Sequence, residues 1–210
     1  MINPRTEWLV NNVKGKKILN IGFVGSKLEG LKLHNLIMSH NPESILIGID
    51  NNKKAIDKFN DKNLIYGDVR ELPFKDKTFD SVILGEVIEH FFDINKILSE
   101  CSRVLVPKGK IYITTPNTYS FFRWLKHWLF KFNYFSLKNA KSYLACSDHK
   151  FFWEPLSLIN ILNHYNLETV YLTTKVLGFP YINKLRNINI AIWPFSRLQE
   201  YICLVAEKNS

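Results

Sequence analysis

Several things are missing from the sequence. Met1 to Gly15 reads MINPRTEWLVNNVKG, without the basic-then-apolar opening of a signal segment. No run approaches the ~20 consecutive apolar residues that cross a bilayer. Cysteine is scarce: Cys101, Cys146 and Cys203 are odd in number and form no CxxC pair. That argues against a disulfide framework and a cysteine-ligated zinc site, and predicts a reducing, cytoplasmic setting. There is no internal repeat and no low-complexity tract. Acids are outnumbered, with 19 Asp and Glu against 28 Lys and Arg, for a net charge of +9. The excess points to a polyanionic partner, either nucleic acid or an anionic membrane surface, and composition does not choose between them.

What is present suits one globular domain over residues 1–210. Apolar residues make up 46% and charged residues 22%, which excludes a largely disordered chain. Short apolar runs alternate with helix-period segments. Strands are predicted at Lys17–Ile21, Ser44–Ile49, Leu64–Tyr66, Asp80–Leu84 and Lys110–Thr115. Helices are predicted over Leu28–Met38, over Asn52–Asn60, and through Ile94, Ile97, Leu98, Cys101 and Leu105. Pro107-Lys108-Gly109 reads as the turn into the fifth strand. A late helix over Pro155–Tyr165 and strands at Glu168–Thr173 and Tyr201–Ala206 close the pattern. Such alternation implies βαβ units and a mainly parallel, Rossmann-like sheet with helices on both faces. The connection at 174–200 exceeds ordinary loop length and is a candidate lid or substrate loop.

Ligands of open α/β sheets bind beyond the carboxyl ends of the strands. Four such ends carry suitable residues: Gly22-Phe23-Val24-Gly25-Ser26, Asp50, Gly67-Asp68, and Gly85-Glu86. Small residues let a backbone turn approach a ligand, and a carboxylate at a strand end can accept both hydroxyls of a ribose. A dinucleotide fold expects GxGxxG and an acid about 20 positions on. Here Asp50 lies 28 positions beyond Gly22, and no third glycine follows.

The segments ILNIGFVGS, LIGID, YGDVRELPF, FDSVILGEVIEH and RVLVPKGKIYITTPN, in that order, resemble class I S-adenosylmethionine-dependent methyltransferases. The nearest branch is that of ubiquinone-biosynthesis and glycan-cluster O-methyltransferases. The resemblance spans residues 16–117 closely and 149–207 loosely. It implies a seven-stranded sheet whose last strand is antiparallel, and S-adenosylmethionine as cofactor. It places Gly22 and Gly25 near the methionine moiety, Asp50 on the ribose, Asp68 on the adenine amino group and Glu86 along the cleft. The family ends its first strand in an acid that helps hold the cofactor's amine. This chain has Asn20 there, so the carbonyls of Asn20 and Gly22 are expected to receive the amine. Val24 and Ser26 stand where the family carries glycines. These departures leave open a non-catalytic binding module of the same fold.

Glu86, Glu89 and His90, at i, i+3 and i+4, would share one face if they opened a helix. They could ligate a divalent ion, or Glu89 could face the helix dipole while His90 packs under the sheet edge. With Thr115-Pro116-Asn117 and Asp148-His149-Lys150-Phe151-Phe152-Trp153 they resemble the small-RNA 3′-terminal 2′-O-methyltransferases. That likeness implies a metal held by Glu86, Glu89, His90 and His149. Glycan-linked relatives carry the same DH…F element, where the histidine acts as a base or orients the substrate. His149, and then His90, are the candidate catalytic residues.

Residues 117–150 form a basic, aromatic insertion. From Tyr119 to Phe135, nine of 17 residues are aromatic. As a helix, this segment would set Phe121, Trp124, Leu125, Trp128, Leu129 and Phe132 on one face, with Arg123, Lys126, His127 and Lys131 on the other. It would suit either an anionic membrane interface through 119–135 or a lid over the cleft. Segregated rings and charges favour those partners over nucleic acid, which needs rings outward among the charges. The expected activity is O-methylation of a small, glycan or lipid-linked acceptor, with metal-dependent RNA 2′-O-methylation as the alternative. The oligomeric state does not follow from the sequence.

Overall fold

The computed structural model describes residues 3–25, 29–59, 61–120, 149–175 and 201–210. Seven strands form one sheet: β1 (Lys17–Ile21), β2 (Ile45–Asp50), β3 (Leu64–Tyr66), β4 (Phe79–Gly85), β5 (Leu105–Pro116), β6 (Leu167–Lys175) and β7 (Tyr201–Lys208). Their order is β3-β2-β1-β4-β5-β7-β6. Only β7 runs antiparallel, paired on one side with β5 and on the other with β6. The chain builds outward from β1 to β3 and then returns to place β4 on β1's other side, so the topological switch point lies between β1 and β4.

Consecutive strand residues serve opposite layers. Leu19, Val82, Ile111 and Leu204 join α4 (Ile94–Val104) and α5 (Pro155–His164) through Ile97, Leu98, Cys101, Leu158 and Leu162. Their neighbours Ile18, Ile83, Tyr112 and Cys203 face α1 (Pro4–Asn12) and α2 (Glu29–His40) through Trp8, Leu9, Val10 and Ile37. The sheet is thus covered on both faces. Cys101 and Cys203 are both buried in these layers, and burial holds the Cys101 thiol well above the usual cysteine range.

Several expected boundaries move. The Asn52–Asn60 helix shrinks to α3 (Lys53–Ile56), capped by the Asn52 side chain on the Ala55 N–H at 3.1 Å. Pro107-Lys108-Gly109 does not precede the fifth strand but lies inside it. Phe79 pairs with Leu105 while Ser81 already pairs with Lys110, so β5 bulges, and Lys108 takes a φ of 64° to close the bulge. The sequence reading overlooked α1, although Asn3 caps it and Pro4 opens it, a pair of start signals written in the sequence. Of the 117–150 insertion, only Asn117–Ser120 and His149–Lys150 are among the described residues; its predicted aromatic helix lies outside them. Thr174 and Lys175 belong to β6, and the rest of the 174–200 connection falls outside the described residues. Among those residues no helix is long and apolar enough to cross a membrane.

Candidate active site

The glycine-bearing turn after β1 is strapped to the end of β2. The Gly22 N–H donates to the Ile49 carbonyl at 2.9 Å, and the Val24 N–H donates to Asp50 Oδ2 at 3.0 Å. Asp50 Oδ1 accepts from the Asn52 N–H at 2.9 Å. Gly22 and Gly25 have φ values of 72° and 58°, the left-handed region that a side chain disfavours. Gly22 has a second constraint, because a Cβ there would stand 2.7 Å from Val87 Cγ2. Gly22→Ala is expected to lower unfolding free energy by about 1–3 kcal/mol, from backbone strain and this clash. Guanidinium denaturation checks it; unchanged stability would mean that the turn has another conformation.

Asp68 follows β3 but is already engaged. Arg70 donates to its carboxylate from the backbone N–H at 2.9 Å, from Nε at 3.0 Å and from Nη2 at 2.5 Å. The Arg70 guanidinium holds the Asp68 carboxyl below the usual carboxylate range. Asn20 is buried at 2% exposure and turns toward α2, where its Nδ2 lies 3.3 Å from His34 Nδ1. His34 is itself 3% exposed, and burial pushes its pKa down to about 4 against a smaller opposing pull from Asp61. The sequence reading missed His34, although it falls three residues after Leu31 and three before Ile37 on the named face of α2.

At the end of β4 the predicted helix face gives way to a tighter arrangement. Glu86 has a φ of 56°, its N–H donates to the Thr114 carbonyl at 2.8 Å, and only Ile88–His90 form a single 3₁₀ turn. Glu86, Glu89 and His90 therefore do not line one helical face. Glu86 pairs with Arg5 of α1. Glu89 turns inward at 1% exposure, where Thr115 Oγ1 donates to its Oε2 at 3.2 Å. Burial raises the Glu89 carboxyl above its ordinary range, opposed by its backbone hydrogen bond, His90, Thr115 and Arg5.

The segment after the insertion is stitched onto this corner. The Lys150 and Phe151 N–H groups both donate to the Glu89 carbonyl, at 2.6 and 3.2 Å. The Thr118 N–H donates to the Trp153 carbonyl at 3.0 Å. His149 is thereby set against His90, with ring centroids 4.8 Å apart and planes near perpendicular. Ligand atoms of Glu89, His90 and His149 all lie within 4.8 Å of one another. Of the four expected metal residues these three come together, and Glu86 is not among them. Glu89 Oε1 is buried without a hydrogen-bond partner among the described residues, so the trio fits a cation chemically.

Residues 29–113 match the methyltransferase domain family. This match and the sheet topology together support a class I S-adenosylmethionine-dependent methyltransferase domain. It is 33% identical over 102 residues to the demethylmenaquinone methyltransferase of Thermotoga maritima, covering 42% of this chain and 44% of that one. Against the mitochondrial ubiquinone biosynthesis O-methyltransferase of Bos taurus it is 34% identical over 110 residues, covering 50% and 30%. The chain thus spans less than half the length of these relatives. The methyltransferase fold extends further than the sequence likeness. An Archaeoglobus fulgidus S-adenosylmethionine-dependent methyltransferase structure superposes with a TM-score of 0.65 at 19% identity, covering 97% of this chain and 92% of that one.

Proposed function

We propose that this methyltransferase domain transfers the methyl group to a hydroxyl oxygen of a small, glycan or lipid-linked acceptor. The observation that carries the reading is the corner where Glu89, His90 and His149 meet, one strand away from the glycine-bearing turn. S-adenosylmethionine, when bound, supplies an electrophilic methyl on a sulfonium. Asp50, at the end of β2, is the candidate for the ribose hydroxyls, since its carboxylate already orders the turn through Val24. Gly22 and Gly25 let that turn approach the ligand. Asp68 is the adenine candidate, and Arg70 must share or release it. His149 orients the acceptor hydroxyl and takes its proton, with His90 beside it; the remaining barrier is lowered by positioning.

A second reading is favoured by the trio and by Glu89 Oε1, which has no hydrogen-bond partner among the described residues: a divalent cation held by Glu89, His90 and His149. Two imidazoles and a carboxylate suit Zn²⁺ or Mn²⁺, with Mg²⁺ a poorer match, and such an ion lowers the pKa of a bound hydroxyl. RNA 2′-O-methylation is the activity that would use it.

Calorimetric titration with S-adenosylmethionine and S-adenosylhomocysteine, followed by transfer of labelled methyl to hydroxylated quinone precursors, glycans, polyprenyl-linked sugars and RNA 3′ ends, tests the proposal. Binding of both nucleosides and label in a hydroxylated acceptor are expected. Absence of binding would reduce the chain to a non-catalytic module. Loss of transfer in chelator, restored by Mn²⁺, would select the metal reading; indifference to chelator would remove it. The basic insertion at 119–135 remains a proposed anionic-membrane contact, to be read from sedimentation with anionic vesicles.

A further inference from the structure

Arg70 leaves the Asp68 carboxylate no spare capacity. Oδ1 accepts from the Arg70 backbone N–H and Nε at 2.9 and 3.0 Å, and Oδ2 accepts from Nε and Nη2 at 3.1 and 2.5 Å. A carboxylate has about four lone-pair sites, and one residue engages them all. An adenine amino group can therefore reach Asp68 only after a guanidinium N–H has left. The fork is not needed to shape the turn, which the Glu71 N–H closes on the Asp68 carbonyl at 3.1 Å. Nor does it hold the fold together. The Asp68 and Arg70 side chains keep 43% and 48% of their surface exposed, and exposed ion pairs add little stability.

A second seat for the guanidinium lies within its field. The charges of Asp93 and Glu71 also act on Arg70, and that of Lys96 acts on Asp68. Asp93 caps α4: its Oδ1 accepts from the Lys96 N–H at 3.4 Å, and its Oδ2 pairs with Lys96 Nζ at 3.5 Å. Both contacts are long, so Asp93 keeps lone pairs for another donor. Asp68, Arg70, Asp93 and Lys96 thus form an alternating set of exposed charges. A swing of Arg70 from Asp68 to Asp93 exchanges one exposed carboxylate for another, and Lys96 keeps a positive charge near the acid left behind. The cost of that exchange is small on the scale of an amino group's hydrogen bond to an ionised carboxylate.

We propose that Arg70 is a two-seat latch on the adenine position: in the free protein it closes Asp68, and cofactor entry moves it to Asp93 while the purine amino group takes its place. The inference rests on the proposed adenine role of Asp68 and adds which side chain guards that acid and where it goes. It reverses the sign expected of a basic residue beside a ligand. An arginine that stacks on the base or stiffens the turn strengthens binding, and its loss weakens the complex. A latch opposes binding, and its loss tightens the complex.

Calorimetry with S-adenosylhomocysteine reads that sign without any acceptor. Arg70→Met is expected to bind about two- to fivefold more tightly than wild type, the worth of one exposed ion pair. Asp93→Asn keeps the cap on α4 and removes the charged seat, so it should weaken binding by a similar factor. The double variant should match Arg70→Met, because Asp93 acts only through Arg70. Circular dichroism with thermal melting confirms that each variant folds. Unchanged or weaker binding by folded Arg70→Met would overturn the latch. An Asp93→Asn variant that binds like wild type, or an effect that persists in the double variant, would overturn the second seat. Asp68→Ala separates the latch from the reading beneath it. Weakened binding upholds the adenine role whatever Arg70 does, and unchanged binding removes that role and the latch together. A wild-type protein that binds no S-adenosylhomocysteine would remove the cofactor reading itself, and the inference with it.

Discussion

His149→Ala is expected to lower methyl-transfer turnover by about 10²–10⁴-fold, the usual worth of a positioned general base. Affinity for S-adenosylhomocysteine should stay at the wild-type value, because the proposed role sets the residue on the acceptor and not on the cofactor. The expectation follows from how His149 is held. Two backbone N–H groups immediately after it are tied to the Glu89 carbonyl, and its ring sits edge-on to His90. An imidazole fixed by its own backbone loses little entropy on meeting a hydroxyl, and a neighbouring buried carboxyl can steady the charge it gains. The pH–rate profile is the second readout. An imidazole base imposes a loss of rate on the acid side, and the residual rate of His149→Ala should lack that limb. Unchanged turnover in the alanine variant would end the catalytic assignment. Equal losses in turnover and cofactor affinity would mean that the residue shapes the cleft rather than acting on the acceptor.

A second large effect is expected from acid alone. His34 is neutral in the folded protein because burial beside Asn20 and Phe23 penalises its charged form, and its pKa stands at about 4. In the unfolded chain it should titrate near 6.5. Between those values the unfolded chain binds the proton and the folded one does not, so stability falls as pH falls through that window and levels off below about 4. A shift of this size corresponds to about 3 kcal/mol, most of it lost by pH ~4.5. Denaturant unfolding at several pH values, wild type against His34→Gln, isolates the contribution. Carboxylates with depressed pKa, such as Asp68 and Glu100, also cost stability at low pH, but they do so in both proteins. Parallel curves for the two proteins would show that His34 is not the titrating group.

The parts of this molecule that could be read ahead were those governed by short-range pattern. Lys17–Ile21 is both the predicted and the observed first strand, since a brief branched run before glycine has few alternatives. The seven-strand count and the antiparallel last strand came from the family resemblance, not from periodicity. The corner at β4 was only half legible. Spacing placed Glu86, Glu89 and His90 on a common face, which presumes a helix that begins at once. The chain instead leaves the strand with Glu86 in a left-handed conformation and makes a single tight turn. Its residues Val87, Ile88, Phe91 and Phe92 are β-branched or aromatic and propagate a helix poorly. Glu89 and His90 therefore meet a histidine from residue 149, while Glu86 meets an arginine from residue 5. Neither pairing has any local signature, because each is made by tertiary contact across the sheet. The disposition of Asp68 is different, since Arg70 lies two residues away and the GDVR segment carries both.

The antiparallel β7 makes completion of the sheet a late event. Residues 201–208 pair with β5 on one side and β6 on the other, and β5 lies some ninety positions earlier in the chain. Long-range pairings of this kind carry a large loop-closure cost and slow folding. Until β7 has emerged and docked, β5 presents an unpaired edge rich in β-branched residues (Ile111, Ile113, Thr114, Thr115), a template for misassociation. The strand whose far end carries Thr115, the partner of Glu89, therefore keeps one edge open until β7 docks. A chaperone that shields that edge during synthesis would protect the proposed site along with the sheet.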